Sequence, residues 1–212
     1  MIVGRSMRGE LITAKETDTL EKAFEIMKQH GIRHLPVVKG RKLVGIITER
    51  DIRQAMEPIP TRKRRKEAYY IPREAFVKEF MTSELITVEP HTNIEDAAKL
   101  IYQHKIGGLP VAEKGKLVGI ITETDILAVF IQMMGILIAS SRIDVALGND
   151  PDSFEEACKI IKAHQGRIIS VGLTPQDEDK GGRVYFFRLE QCDLTPLIRA
   201  FKKAGYEVVS YA

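Results

Sequence analysis

The 212-residue chain has only two cysteines, Cys158 and Cys192. Two widely separated thiols cannot build a disulfide framework, and no Cys/His cluster with metal-ligand spacing surrounds them. Cys158 falls on the apolar side of a predicted helix, which points to a packed thiol in a reducing cytoplasm. Long apolar runs are also missing. The strongest, Ile126–Ala139, has 14 residues (139 − 126 + 1), short of the roughly 20 that cross a bilayer. It is expected to be a buried helix with its following connection, and a subunit interface is one way to cover it. Met1–Arg8 lacks the apolar region of a secretory leader. A Walker loop, a paired nucleophile and base, and a metal cluster are absent, which argues against an enzyme. The formal net charge is only +3, so bulk charge selects no partner. One local exception is the run Arg62-Lys63-Arg64-Arg65-Lys66, followed by Tyr69-Tyr70, in a linker broken by Pro58, Pro60 and Pro72. A solvated loop is the expectation there. Nucleic-acid binding, ligand phosphates and an acidic partner are the alternatives.

What the chain does have is a repeat. Shifted by 74 positions (77 − 3), Val3–Ala55 lies over Val77–Val129 without a gap, and nearly half of the aligned pairs are identical. Glu10-Leu11-Ile12-Thr13 matches Glu84-Leu85-Ile86-Thr87, and Leu35-Pro36-Val37 matches Leu109-Pro110-Val111. Lys42–Glu49 matches Lys116–Glu123 residue for residue, and Asp51-Ile52 matches Asp125-Ile126. Within each copy, Leu11–Thr13 reads as a short strand. Asp18 or Thr19 caps a helix whose apolar face is Leu20, Ala23, Phe24 and Met27, and Gly31 ends it. Leu35–Val38 and Lys42–Ile47 read as strands around a tight turn, and Thr48 opens a second helix. The order is β-α-β-β-α, twice. A copy of about 50 residues would bury little core alone, so the two are expected to pack together.

This doubled pattern resembles the CBS domain, and the pair resembles a Bateman module. The resemblance covers residues 1 to about 135. It rests on Met7 and Met81 in the lead-in segments, the Leu-Pro-Val strands, and the Gly-Ile-Ile-Thr-x-x-Asp endings. It implies a pseudo-two-fold module with two clefts that hold adenosine nucleotides. The residues suit that chemistry independently. A helix N-terminus offers free N–H groups to phosphate; Thr48 and Thr122 stand at such starts. Asp51 and Asp125 lie one turn on, where a carboxylate can accept from ribose hydroxyls. Ile12, Ile46, Ile86 and Ile120 can flank a base. The competing reading makes the threonines N-caps and the acids complements to the helix dipole. Arg33-His34 stands opposite Gly107-Gly108, so the clefts are expected to be unequal. The arginine and histidine would reach phosphate or base, and the glycines would let a ligand approach the backbone. His30 and His104 are expected to serve only the helix ends. The full candidate nucleotide-binding set is Thr13, Arg33, His34, Thr48, Asp51, Thr87, Gly107, Gly108, Thr122 and Asp125, with no catalytic or metal site.

From Ser141 the pattern changes to β-α-β-β-α-β, a ferredoxin-like order. Arg142–Leu147, Arg167–Leu173, Arg183–Leu189 and Tyr206–Tyr211 are the strands, Pro151–Gln165 is one helix, and Asp193 is the expected cap of the other. This part resembles an ACT domain. Such domains tend to carry Asp-x-Pro-Gly-x-Leu at the first strand-helix turn. Asn149-Asp150-Pro151-Asp152-Ser153-Phe154 replaces the glycine with Asp152, which puts amino-acid binding in doubt. Two CBS repeats followed by an ACT-like unit are similar to the AcuB family of acetoin utilisation. The expected fold class is thus α/β (α+β): CBS repeats at 1–56 and 75–136, a basic linker at 57–74, and a ferredoxin-like ACT-like domain at 141–212. The expected protein is a cytoplasmic homodimeric regulator of non-catalytic type. Its ligand would be AMP, ADP, ATP or S-adenosylmethionine, with no membrane contact. A nucleic-acid-binding regulator and an enzyme are the alternatives.

Overall fold

A computed structural model describes residues 1–58, 69–174 and 183–212; the basic run Arg62–Lys66 lies outside the described residues. The chain divides into two compact units, Met1–Ile126 and Leu127–Ala212.

In the first unit, α1 (Leu20–His30) leads to the hairpin β1 (His34–Lys39) and β2 (Lys42–Thr48), then α2 (Glu49–Gln54). A short ribbon, β3 (Glu57–Pro58) and β4 (Tyr69–Tyr70), precedes α3 (Val77–Phe80). The second copy supplies α4 (Ile94–His104), β5 (Gly108–Glu113), β6 (Lys116–Thr122) and the start of α5 (Glu123–Met133). Thr19 caps α1 by accepting from Lys22 N–H, and Gly31 closes it at φ 62°. The predicted face holds: Leu20, Ala23 and Met27 are buried, and Phe24 packs beside them half-buried. The predicted strand at Leu11–Thr13 shrinks to one parallel bridge, Ala14 to Val37, mirrored by Val88 to Val111. Three residues bordered by a turn have room for two ladder bonds: Ala14 N–H to Pro36 O, and Val38 N–H to Ala14 O.

The four strands form one sheet ordered β1-β2-β6-β5. The two hairpins meet where Lys42 pairs with Lys116, so the repeats are related about that point. Their lead-in segments are exchanged. Arg8 and Ile120 trade backbone hydrogen bonds, and so do Thr82 and Ile46. Ala75 and Val77, from the second repeat, sit in the core of the first with Leu35, Val37, Ile47 and Ile52. A β-carbon at Gly45 would lie 2.5 Å from Met81 Sδ, and one at Gly119 would lie 2.6 Å from Met7 Sδ. The glycine in each Leu-Val-Gly-Ile-Ile strand therefore seats the methionine brought by the other repeat. The hydrogen that glycine carries in place of a β-carbon is what permits the close approach.

The stretch 126–139 departs from expectation. Ile126 and Val129 are buried, but α5 ends at Met133, and Leu137 is 83% exposed with Met133, Ile136 and Ile138 also exposed. Gly135, at φ 65°, is the physical stop: the left-handed residue cannot continue the helix.

The second unit contains β7 (Ser140–Ala146), α6 (Pro151–Ala163), β8 (Ile168–Leu173), β9 (Val184–Glu190), α7 (Thr195–Lys203) and β10 (Glu207–Tyr211). Its sheet is ordered β10-β7-β9-β8, antiparallel throughout. That is the ferredoxin-like arrangement the β-α-β-β-α-β order predicts. Ile143, Val145, Phe187 and Leu189 of the sheet pack with Ala157, Ile161, Leu197 and Phe201 of the helices. Asp150 caps α6 by accepting from Asp152 N–H, with Pro151 in the first turn. Asp193 acts one residue ahead of the helix cap: Leu194 is the cap, and Asp193 accepts from Thr195 N–H at 2.9 Å.

Candidate functional site

Two cavities open in the first unit, and the 74-residue offset relates them. The first, about 950 Å³, is lined by Thr48, Asp51, Ile46, Ile86, Pro110, Gly107 and Gly108, among others. The second, about 500 Å³, is lined by the counterparts Thr122, Ile120, Ile12 and Pro36, with Arg8 and Glu10. The four isoleucines predicted to flank a base thus fall as pairs, one from each repeat, and a proline that sequence reasoning passed over completes each slot. Arg33, His34, Gly107 and Glu123 line both cavities.

The repeated Thr-x-x-Asp closes a reciprocal capping box. In the first copy, Asp51 Oδ2 accepts from Thr48 N–H at 2.8 Å and from its hydroxyl at 2.7 Å, while Asp51 N–H donates to Thr48 Oγ1 at 3.3 Å. The second copy repeats this with Thr122 and Asp125 at 3.0, 2.6 and 3.4 Å. The threonine hydroxyl is therefore already committed, and α2 has only six residues. The capping role is real, and it still leaves each carboxylate a second oxygen. Asp51 Oδ1 makes no hydrogen bond among the described residues, whereas Asp125 Oδ1 receives Arg8 Nε at 3.3 Å.

Charge lines the first cavity on both signs. Arg53 pairs with Glu49 at 2.6 Å. Arg33, Arg50 and Lys105, with Glu84 and Glu123, line it without ion-pair partners among the described residues. Lys105 holds the left-handed conformation at the end of α4, φ 53°, where its counterpart is Gly31. A lysine there is strained by roughly 1–2 kcal/mol relative to the right-handed form. Neither Arg50 nor Lys105 was singled out from the sequence. Both stand where the two copies differ, which is the signal that could have found them.

His34 fills the middle. A β-carbon at Gly107 would lie 2.5 Å from His34 Nε2. The glycine thus makes room for this imidazole, and the space above it is taken by the protein's own side chain. Burial pushes His34 below the ordinary histidine value, and the Arg33 charge adds to this; Glu123 and Asp51 pull the other way.

Of the remaining predicted residues, Thr13 lines a separate hollow of about 440 Å³ with Arg41 and Lys116, and Thr87 is exposed and lines neither cleft. Asp125 is not among the residues lining the second cavity. His30 and His104 end α1 and α4 as expected, and His30 also lines the second cavity.

The CBS-domain family model matches residues 3–58 and 77–132, more than half the chain. The chain belongs to the CBS-domain family, as a tandem pair. It is 37% identical over 119 residues to an inosine-5'-monophosphate dehydrogenase of Korarchaeum cryptofilum, matching 55% of this chain but only 22% of that enzyme. Among solved structures, the CBS pair of protein MJ0100, in complex with 5'-methylthioadenosine and S-adenosyl-L-methionine, superposes with a TM-score of 0.51 at 30% identity. It covers 61% of this chain and 95% of its own. A protein assigned to acetoin utilization (AcuB) from Vibrio cholerae gives 0.52 at 29% identity, covering 65% and 95%. No helix among the described residues is long and apolar enough to cross a membrane.

Proposed function

We propose that this chain is a non-catalytic regulator in which an adenine nucleotide occupies the first cleft. The carrying observation is that cleft's lining: an apolar slot of Ile46, Ile86 and Pro110, the spare oxygen of Asp51, and the cations Arg33, Arg50 and Lys105. The slot takes the base between β-branched side chains. Asp51 Oδ1 accepts from ribose, and the cations meet phosphate as charge-assisted donors. The likeness to the CBS pair of MJ0100, solved with two adenosine compounds, supports this ligand class. AMP, ADP, ATP and S-adenosylmethionine are the compounds to test. The strain at Lys105 fits a residue kept at a site for its side chain.

The second unit is read as the ACT-like responder, and the whole as an AcuB-like sensor. Ligand binding favours one arrangement of the repeats, and a population shift passes to that unit or a partner. Asp150-Pro151-Asp152 places a carboxylate side chain in the first turn of α6, so the unit is proposed to relay rather than to bind an amino acid. The exposed Met133, Ile136, Leu137 and Ile138 support a homodimer, and the unpaired thiols Cys158 and Cys192 suit a reducing cytoplasm.

A thermal-shift panel tests the reading. Ligand at 100 times its Kd adds about 2.7 kcal/mol of stability. Stabilisation by an adenine nucleotide and not by the matching pyrimidine nucleotide is expected. No response to any adenine compound would refute the assignment, and product formation from a nucleotide would make the chain an enzyme.

A further inference from the structure

Resting on the nucleotide reading of the first cleft, we propose that Arg8 closes the second cleft to ribose, so that each chain binds one nucleotide and not two. Arg8 and Thr82 occupy equivalent positions. Each is held to the opposite repeat by a pair of backbone hydrogen bonds: Arg8 N–H to Ile120 O at 2.9 Å with Ile120 N–H to Arg8 O at 3.2 Å, and Thr82 N–H to Ile46 O at 2.9 Å with Ile46 N–H to Thr82 O at 3.0 Å. The backbones therefore deliver both side chains to the same place in their clefts, and only the side chains differ.

That difference falls on the ribose acceptor. In both copies one carboxylate oxygen is used by the capping box. In the first cleft the other oxygen, Asp51 Oδ1, remains without a partner among the described residues, and Thr82 lines the cavity nearby. In the second cleft the other oxygen, Asp125 Oδ1, is taken by Arg8 Nε at 3.3 Å. A carboxylate with both oxygens engaged cannot also accept from two ribose hydroxyls without giving up one contact. The cavity volumes agree, about 950 Å³ against about 500 Å³, and Asp125 is missing from the lining of the smaller one. Arg8 thus acts as a specificity-determining residue that makes two near-identical motifs unequal. The contact is with an arginine whose side chain is 54% exposed, so it is a removable latch and not part of the core.

Calorimetric titration of the full chain with AMP reads the stoichiometry directly. The parent is expected to bind one AMP per chain, and Arg8→Thr, which installs the first cleft's own residue, two. Arg8→Gln, which keeps length but removes the charge, should also gain the second site. Adding Asp125→Ala to Arg8→Thr should return the count to one. Two sites in the parent overturn the proposal. One site in both Arg8 variants overturns it as well. A loss of AMP affinity in Arg8→Thr would make the guanidinium a phosphate ligand, also contrary to the latch. The absence of AMP binding in parent and variants alike would instead strike the nucleotide reading on which the latch rests, and so the two failures are distinguishable.

Discussion

Asp51→Ala, measured without ligand, asks how much the capping box holds up the first repeat. The side chain accepts two hydrogen bonds, from Thr48 N–H at 2.8 Å and from the Thr48 hydroxyl at 2.7 Å. Alanine removes both. The hydroxyl is free to rotate and rebinds water, so its loss is small. The Thr48 amide is half-buried and loses a charged acceptor. Hydrogen bonds to charged groups are worth about 1.5–3 kcal/mol, and loss of a cap about 0.5–2 kcal/mol. Because the reverse bond, Asp51 N–H to Thr48 Oγ1, survives, the lower half applies. The expected loss is about 1–2 kcal/mol. With a urea slope of about 2 kcal/mol/M, the midpoint falls by about 0.5–1 M. Asp51→Asn keeps an acceptor and should recover roughly half. The assay is urea unfolding followed by far-ultraviolet circular dichroism, with Asp125→Ala alongside. A shift below about 0.2 M in Asp51→Ala would mean that the capping box contributes nothing measurable to the first repeat.

The other predictions follow the same geometry. Lys105→Gly relieves the left-handed strain at φ 53° and should raise stability by about 0.5–1 kcal/mol while weakening AMP binding, by urea unfolding and calorimetry. His34 titrates below its unfolded value because it is buried. The unfolded chain therefore takes up that proton first, and stability should fall as pH drops below about 6.5; His34→Gln should flatten that slope in melts between pH 7 and 5. Phe201→Ala, a fully buried ring in the second unit, should cost about 3–5 kcal/mol there, read by hydrogen exchange on β7 and β9. Replacing Ile136, Leu137 and Ile138 with serine should convert a dimer into a monomer in light scattering, and a parent already monomeric at micromolar concentration would sink the dimer proposal.

Much of this architecture was legible because the chain says everything twice. The repeated Leu-Pro-Val and Lys-Leu-Val-Gly-Ile-Ile-Thr segments locate the hairpins, and the spacing Leu20, Ala23, Met27 locates the buried face of α1. Periodicity tells which residues face a core, but not whose core. The exchange of Ala75 and Val77 into the first repeat therefore could not be read, although Gly45 and Met81 carried its trace as a matched pair, Gly119 and Met7. The same limit hid the latch: Arg8 and Asp125 are 117 positions apart. Thr48 and Asp51 were readable both as a cap and as a ligand site. The structure realises the cap and leaves one oxygen over, which sequence spacing alone cannot count. Thr13 and Thr87 stood close to the matching isoleucines in sequence, yet successive side chains in an extended segment point to opposite faces. Ile12 and Ile86 consequently line the clefts while the threonines after them do not. Composition predicts burial for the apolar stretch 126–139. Gly135 ends it as a helix and leaves its tail exposed.

The proposed nucleotide site of the first cleft turns on a ribose held by Asp51. Calorimetry with AMP on the parent and on Asp51→Asn, which preserves the cap's acceptor, tests it most directly, with melts to confirm that both proteins are folded. The lost charge-assisted hydrogen bonds, about 1.5–3 kcal/mol, predict roughly a tenfold to hundredfold weaker Kd, with 2',3'-dideoxy-AMP binding both proteins equally weakly. An Asp51→Asn protein that is folded and binds AMP as tightly as the parent would show that Asp51 does not hold the ribose.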